Sequence, residues 1–394
     1  MEQTWRWFGP GRDPISLEQV REAGATGIVS ALHQIPGGTP WTPEAVNERK
    51  AMIEAAGLRW SVVESIPVTN GIKSRSADWR KDVEAWKDSL RALGKAGIRT
   101  VCYNFMPIVD WTRTDLAWQM PSGLALRFDI VDFAAYDVFA LKRAKAEGDY
   151  PPDVIAAARE RFATISEARK AELEKIILAG LPGSDFAYDR AKFLDLLKQY
   201  AGMGPEDLFQ SLTEFLDEIV PVAEEFDINL GIHADDPPFP LFGLPRIVST
   251  AEDVAALLDA RDSRSNGLTF CVGSYGSRAD NDLVAMIRAF APRLHFMHLR
   301  NVTIEAPGIF HEDEHLQGGG DMVAIVAAVM AEEKRRAAEG RADAQIPMRP
   351  DHGHLLSADP MRNTNPGYSY VGRLKGLAEL RGVMRAVEAL GATA

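Results

Sequence analysis

The 394-residue chain has 56 acidic and 44 basic side chains, which gives a formal net charge of −12 at pH 7. This charge repels polyanions and no local basic patch offsets it, so we expect no nucleic-acid partner. We also expect no membrane partner, because the sequence lacks both a run of about 18 apolar residues and a signal peptide. Two cysteines, Cys102 and Cys271, are too few for a disulfide framework, and we expect a cytoplasmic protein.

Short apolar, β-branched or aromatic segments alternate with segments of helical periodicity along the whole chain. The predicted strands are, in chain order, 4–9, 26–32, 59–65, 98–106, 228–236, 268–275, 294–301 and 346–353. Helix signals lie between them, such as the capping box of Ser16 and Gln19 and the Thr42–Pro43 start. Eight strands that alternate with helices predict an α/β fold, a (β/α)8 TIM barrel that forms a single domain over residues 1–394.

Residues 107–226 interrupt this alternation, because they hold far more chain than one crossover helix needs. We interpret them as a helical insertion after strand 4, with helices predicted near 135–147, 151–180 and 190–226. One hypothesis is that residues 107–125 close over a bound substrate as a lid, with Trp111 and Arg113 contacting it. The alternative is that Arg113 and Asp115 pin a packing appendage to the barrel.

Four potential metal ligands fall toward the carboxyl ends of four consecutive predicted strands. They are His233, Cys271, His298 and Asp351. In a barrel these ends meet at one rim, where active sites of this fold are built. A single His or Cys at a strand end is more often a packing residue, but four at matching positions predict a divalent metal site. Imidazole and thiolate favour a transition metal over Mg or Ca, and they leave Zn, Fe, Co and Mn open.

Two histidines follow the last of these ligands in the segment PMRPDHGH at 347–354. Imidazole titrates near neutrality, so His352 or His354 is available for proton transfer. For His354 alone, a structural role is the simpler interpretation.

Long blocks of the sequence resemble one enzyme family. They include GIRTVCYNFMPIVDWTRTDL at 97–116, GSYGSRADNDLV at 273–284 and NPGYSYVGRLKGLAELRGV at 365–383. These blocks are similar to D-mannonate dehydratase, and the similarity extends over essentially the whole chain. The resemblance implies a xylose isomerase-like barrel and a lyase of hexuronate (glucuronate) catabolism. Such an enzyme removes water from D-mannonate to give 2-keto-3-deoxy-D-gluconate and uses Mn²⁺ or Fe²⁺.

Carried over residue by residue, the resemblance implies specific roles. The acid/base pair of the family matches His352 and Tyr368, and its metal ligands match His233, Cys271, His298 and Asp351. Arg300 and Arg349 are candidates to bind the anionic substrate, with a rim salt bridge as the alternative for each. Two other functions stay open: a metal-dependent sugar or sugar-acid isomerase or epimerase of the same barrel superfamily, and a sugar-acid binding protein without turnover.

Two positions depart from the family pattern. Members often have Pro where this chain has Ala234, and Tyr where it has Val323. Neither position is a predicted ligand, but both leave room for a different sugar acid in the pocket. The sequence is compatible with a homo-oligomer and does not fix the oligomeric state.

Overall fold

The structure, a computed structural model, describes residues 1–76, 78–179 and 189–391. The strands in these ranges are, in chain order, Glu2–Arg6 (β1), Gly27–Ser30 (β2), Arg59–Glu64 (β3), Thr100–Tyr103 (β4), Asp115–Met120 (β5), Gly123–Asp129 (β6), Asn229–His233 (β7), Asn266–Cys271 (β8), Leu294–His298 (β9), Asn301–Ala306 (β10), Ile309–Asp313 (β11) and Pro347–Arg349 (β12).

Strands β1, β2, β3, β4, β7, β8, β9 and β12 form a closed parallel barrel, in which neighbours along the chain are also neighbours in space. Each of them overlaps one of the eight predicted strands, so the (β/α)8 prediction is confirmed. Strands β2, β4, β8 and β9 are buried at every position. This burial explains their continuous apolar sequences, because helices cover a parallel barrel on the outside while side chains fill its inside.

The helices, also in chain order, are Leu17–Glu22 (α1), Pro43–Ala55 (α2), Asn70–Ser74 (α3), Trp79–Lys95 (α4), Ile130–Ala134 (α5), Pro152–Thr164 (α6), Glu167–Ala179 (α7), Arg190–Gln199 (α8), Pro205–Glu225 (α9), Ala251–Ala260 (α10), Val272–Gly276 (α11), Leu283–Phe290 (α12), Met322–Ala338 (α13) and Tyr370–Leu390 (α14). A π-helical turn spans Ala135–Leu141, and 3₁₀ turns span Ala146–Asp149 and Ala291–Arg293. Of these helices and turns in the described ranges, none is both long enough and apolar enough to cross a membrane.

The inserted chain is shorter than predicted, and a hairpin precedes its helices. Helix α9, which the sequence assigned to the insertion, packs against α4 and β7 in the main core and therefore belongs to the barrel layer. The insertion begins with the antiparallel hairpin β5–β6, which the sequence analysis did not predict. Part of the helix predicted near 151–180 is present as α6 and α7, and position 180 lies outside the described residues.

Hairpin β5–β6 joins a second hairpin to form a four-stranded antiparallel sheet in the order β10–β11–β6–β5. The second hairpin, β10–β11, directly follows barrel strand β9, so two loops distant in sequence meet at the barrel mouth. The rings of Phe128 and Phe310 on the paired strands β6 and β11 stack 5.8 Å apart. They belong to a second apolar core, separate from the main one, that holds the sheet in place.

Candidate active site at the barrel mouth

Three of the predicted ligands are the last residues of three adjacent barrel strands. His233 ends β7, Cys271 ends β8 and His298 ends β9. The register aligns Cys271 with His298, and one ligand atom of each of the three side chains lies within 4.8 Å of the others. These side chains converge because parallel strands of a barrel deliver their last residues to one rim.

A backbone contact orients the imidazole of His233, and the imidazole of His298 lies beside it. Nδ1 of His233 donates to the carbonyl oxygen of Ala234 at 2.6 Å, and its Nε2 lies 3.0 Å from Nδ1 of His298. On its other side, Nε2 of His298 faces a Glu64 carboxylate oxygen at 3.6 Å. The contact of His233 with Ala234, which holds the ring by one nitrogen and leaves the other facing the cluster, is typical of a metal-binding histidine.

The thiol of Cys271 is buried, yet its surroundings favour the thiolate. Burial raises the pKa of Cys271, but the charge of Arg300 and hydrogen bonds from His233 and His298 outweigh burial and hold the pKa well below its usual range. The backbone N–H of Ser274 and Nη2 of Arg300 both approach Sγ at 3.4 Å. Two imidazole nitrogens and a thiolate form a donor set that suits a transition metal.

Asp351 lies two residues past β12, at the edge of this cluster. Its Oδ2 is 3.9 Å from both Cys271 Sγ and His298 Nδ1, so the carboxylate faces the same space as the other three ligands. Asp351 has φ +67°, a left-handed conformation that costs a non-glycine residue energy. Its other oxygen is paired with Arg349, which fixes the side chain in this direction.

The predicted acid/base pair lies beside the cluster. The rings of His352 and Tyr368 are 4.9 Å apart in an edge-to-face arrangement, and Nε2 of His352 lies 3.6 Å from Asp351 Oδ1. A backbone bond from Gly353 N to Gly367 O at 2.9 Å brings the two segments together. Burial raises the pKa of Tyr368, so its phenol keeps its proton at neutral pH.

Comparison with known proteins identifies the family of the chain. A family model described as D-mannonate dehydratase (UxuA) matches residues 1–393. The chain belongs to the D-mannonate dehydratase family. It is 57% identical over 389 residues to Mannonate dehydratase 2 of Agrobacterium fabrum, with 98% of each chain covered.

Two solved structures support the family and the fold. The mannonate dehydratase of Streptococcus suis serotype 2 is 34% identical, with a TM-score of 0.75 over 100% of this chain and 95% of that one. A xylose isomerase domain protein from Planctomyces limnophilus reaches a TM-score of 0.50 at 9% identity, with 98% of this chain and 99% of that one covered, and shares the fold alone.

The two arginines predicted to bind substrate are buried in ion pairs in this member of the D-mannonate dehydratase family. Nη2 of Arg349 bonds Glu64 at 2.9 Å, and Nη1 of Arg349 pairs with Asp351. Arg300 bonds Asp236 at 2.6 Å and Glu312 at 2.9 Å, in addition to the Cys271 thiolate. The two guanidinium groups together therefore stabilise the carboxylates and the thiolate of the site. Direct contact of Arg300 or Arg349 with the substrate stays a prediction.

Trp111 and Arg113 are also buried. Arg113 is fully enclosed, with bonds to Asp236 at 2.6 and 3.2 Å and to Glu312 at 2.8 Å, and its guanidinium lies 4.6 Å from the Trp111 ring. The Trp111 ring in turn meets the His352 ring at right angles, 6.1 Å away. The alternative in which Arg113 pins the insertion to the barrel expects contacts of this kind. Trp111, by contrast, lies next to the predicted acid/base pair.

Three carboxylates of this candidate site were not predicted from the sequence. Glu64 is the last residue of β3, and Asp236 follows the predicted ligand His233 by three residues. Both therefore lie near the carboxyl end of a barrel strand, the same signal that identified the predicted ligands. Glu312 lies on β11 in the segment FHEDEH, where only an acidic run marked it. Burial raises the pKa of Glu312, but His352, Arg300 and Arg113 outweigh burial and lower the pKa to about 2.

The two departures from the family pattern lie in different surroundings. Ala234 is fully buried, and its carbonyl oxygen orients the imidazole of His233. The side chain of Val323 is 55% exposed in the first turn of α13. Ala234 is thus the departure that lies next to the ligands.

Proposed function

We propose that this chain removes water from D-mannonate to give 2-keto-3-deoxy-D-gluconate, with Mn²⁺ or Fe²⁺ as its metal. The observation that carries the proposal is the convergence of His233, Cys271 and His298 at the ends of adjacent strands, with Asp351 facing the same space. Membership of the D-mannonate dehydratase family supports the same substrate.

The reaction needs two groups to leave the sugar acid. A proton leaves C2, next to the carboxylate, and a hydroxide leaves C3. A divalent ion held by His233, Cys271, His298 and Asp351 would act as a Lewis acid that stabilises negative charge developing next to the substrate carboxylate. The protein must then supply an acceptor for the proton and a donor for the hydroxide.

The two side chains beside the cluster suit these two tasks. Tyr368 keeps its proton because burial raises its pKa, so its phenol is the donor to the leaving hydroxide. His352 is the acceptor of the C2 proton, since its Nε2 is directed toward the cluster. The hydroxide leaves as water with the proton of Tyr368, and the enol that remains becomes the 2-keto acid when its hydroxyl proton moves to C3. The C2 proton on His352 then restores the phenol of Tyr368, so the net loss is one water. Each positioned acid or base contributes about 10² to 10⁴ in rate.

The test is an assay of the purified, Mn²⁺-loaded chain with D-mannonate. We expect a 2-keto-3-deoxy acid that has lost one water, and we expect the activity to disappear after chelation and return when Mn²⁺ or Fe²⁺ is added. A product with the same mass as the substrate would instead support the isomerase or epimerase alternative. No product with either ion would contradict both.

A further inference from the structure

Glu312 lies where the antiparallel sheet meets the acid/base pair. Its side chain, on β11, is almost completely buried. Its Oε2 is 2.7 Å from Nδ1 of His352, while its Oε1 accepts from Arg113 at 2.8 Å and from Arg300 at 2.9 Å. We propose that Glu312 is a positioning residue that keeps the proton of His352 on Nδ1, so that Nε2 is the atom that exchanges protons with the substrate. The catalytic consequence rests on the proposed function.

The chemistry of the carboxylate sets the tautomer. An ionised carboxylate can only accept hydrogen bonds, so the nitrogen at 2.7 Å must be the one that donates. Two guanidinium groups on the other oxygen keep Glu312 ionised. In a neutral imidazole, a proton on Nδ1 leaves a lone pair on Nε2, and this nitrogen lies on the side of Asp351, 3.6 Å from Oδ1.

The His352 ring has little freedom to choose another arrangement. Tyr368 and Trp111 meet it edge to face on two sides. Gly367 has φ +82°, and a Cβ at this position would lie 2.9 Å from Cγ of His352, so the backbone passes directly against the ring. Nη1 of Arg300 also lies 3.4 Å from Nδ1, but it donates to Glu312 Oε1 at the shorter distance of 2.9 Å. With the ring fixed by packing, Glu312 at 2.7 Å is therefore the partner that decides which nitrogen carries the proton.

The isosteric substitution Glu312→Gln reverses this preference. An amide has one acceptor and one donor end, whereas the carboxylate has two acceptor ends. Arg113 and Arg300 together supply two charged donors, so the amide oxygen turns to them and the amide nitrogen faces His352. Nδ1 must then accept, and the proton moves to Nε2. His352 can no longer take a proton at Nε2.

The chain offers a matched control on the same sheet. Glu305 on β10 also pairs with an arginine, Arg127 at 2.9 Å, and also contacts a histidine nitrogen, Nδ1 of His311 at 2.9 Å. We expect Glu312→Gln to lower kcat by about 10²-fold or more with KM nearly unchanged, and Glu305→Gln to keep the kcat of the unmodified chain. A Glu312→Gln variant with undiminished kcat, or with the same loss as Glu305→Gln, would overturn the proposal.

A second measurement depends neither on activity nor on the folding of Glu312→Gln. The ¹⁵N shifts of the histidine rings report which nitrogen carries the proton, and the signals of His352 are assigned by their loss in His352→Gln. In the full-length chain loaded with diamagnetic Zn²⁺, a ring with its proton on Nδ1 alone supports the proposal, and a proton on Nε2 overturns it. A chain that fails to dehydrate D-mannonate but protonates Nδ1 would refute the proposed function and leave the tautomer assignment standing.

Discussion

Cys271 is buried but surrounded by groups that favour its charged form. Because a thiolate is a soft and strong ligand, we predict that Cys271→Ser lowers both the affinity for the native ion and the rate of dehydration. Metal content after gel filtration, measured by mass spectrometry, and kcat on D-mannonate check the two effects on the same sample.

The second cysteine provides the control for this experiment. Cys102 on β4 is also fully buried, but it packs against Val29, Val62 and Phe296 rather than among the ligands. We expect Cys102→Ser to bind the full complement of metal. Full metal content and full rate in Cys271→Ser would show that its sulfur is a packing group.

His352 directly follows the predicted ligand Asp351 in sequence, but we predict separate roles for the two side chains. We predict that His352→Asn removes most turnover, by about 10² to 10⁴-fold, while metal content stays unchanged, because the ring transfers protons and is not a ligand. Measuring kcat and bound metal together separates these roles. A variant that loses its metal would instead show that His352 maintains the metal site.

At the level of single residues, the sequence predicted those whose role follows from a strand end. The sequence placed His233, Cys271 and His298 toward the carboxyl ends of consecutive strands, and in the folded chain each is the last residue of its strand. The partners of the arginines did not follow. The sequence left Arg300 either to bind substrate or to form a rim salt bridge, and only the folded chain shows that its partners are Asp236 and Glu312. Long-range ion pairs of this kind leave no local periodicity to detect.

The four-stranded sheet is the element that the sequence did not predict. Its hairpins lie after β4 and after β9, and their pairing aligns Phe310 with Phe128 across a large separation in sequence. Each hairpin alone is a weak signal, because register between distant strands is set by packing in three dimensions. The consequence is functional as well as structural, since this sheet carries Glu312 to His352.

Arg113 connects the insertion to this sheet and to the barrel. Arg113→Ala leaves the buried carboxylates of Asp236 and Glu312 without one of their two guanidinium partners. Loss of one partner of a buried pair costs about 3 to 5 kcal/mol. We therefore predict a clearly lower Tm, as the pinning alternative expects. Thermal unfolding monitored by circular dichroism measures it, and kinetics of the folded fraction are recorded on the same sample.

The matched control is an exposed arginine of the same insertion. Arg159 pairs with Glu147 at 3.1 Å, and both side chains are more than half exposed. A surface pair contributes at most about 1 kcal/mol, so Arg159→Ala should leave Tm almost unchanged. A normal Tm for Arg113→Ala together with a raised KM would favour the lid hypothesis for residues 107–125 instead.

For the molecule as a whole, the sequence predicted the barrel because its signal repeats. Eight apolar segments in alternation with helices leave few topologies, and parallel strands can then close in chain order. The end of the insertion was harder to predict. Helix α9 is amphipathic in the same way as an insertion helix, and only its packing with Leu230 and Ile232 in the main core assigns it to the barrel.

The carboxylates at the barrel mouth also determine how stability depends on pH. Arginine partners hold the pKa of Asp236 well below its usual range, despite burial, and lower the pKa of Glu312 to about 2. A carboxyl whose pKa is lower in the folded chain stabilises it above the unfolded pKa, about 4.3 for Glu, and this stabilisation is lost as pH falls through the folded pKa. Asp235 acts in the opposite direction, because burial raises its pKa.

We therefore predict that the free energy of unfolding falls between about pH 5 and pH 2. For Glu312, the difference between a pKa of about 2 and one of about 4.3 corresponds to a stabilisation on the order of 3 kcal/mol at pH 7, of which about half is lost by pH 3. Urea unfolding of the metal-free chain at pH 7, 5, 4 and 3 measures this loss without competition between protons and metal.

Glu312→Gln has no carboxyl to titrate, so its deficit in stability should shrink as the pH falls. A deficit that stays constant from pH 7 to pH 3 would mean that Glu312 has an ordinary pKa in the folded chain.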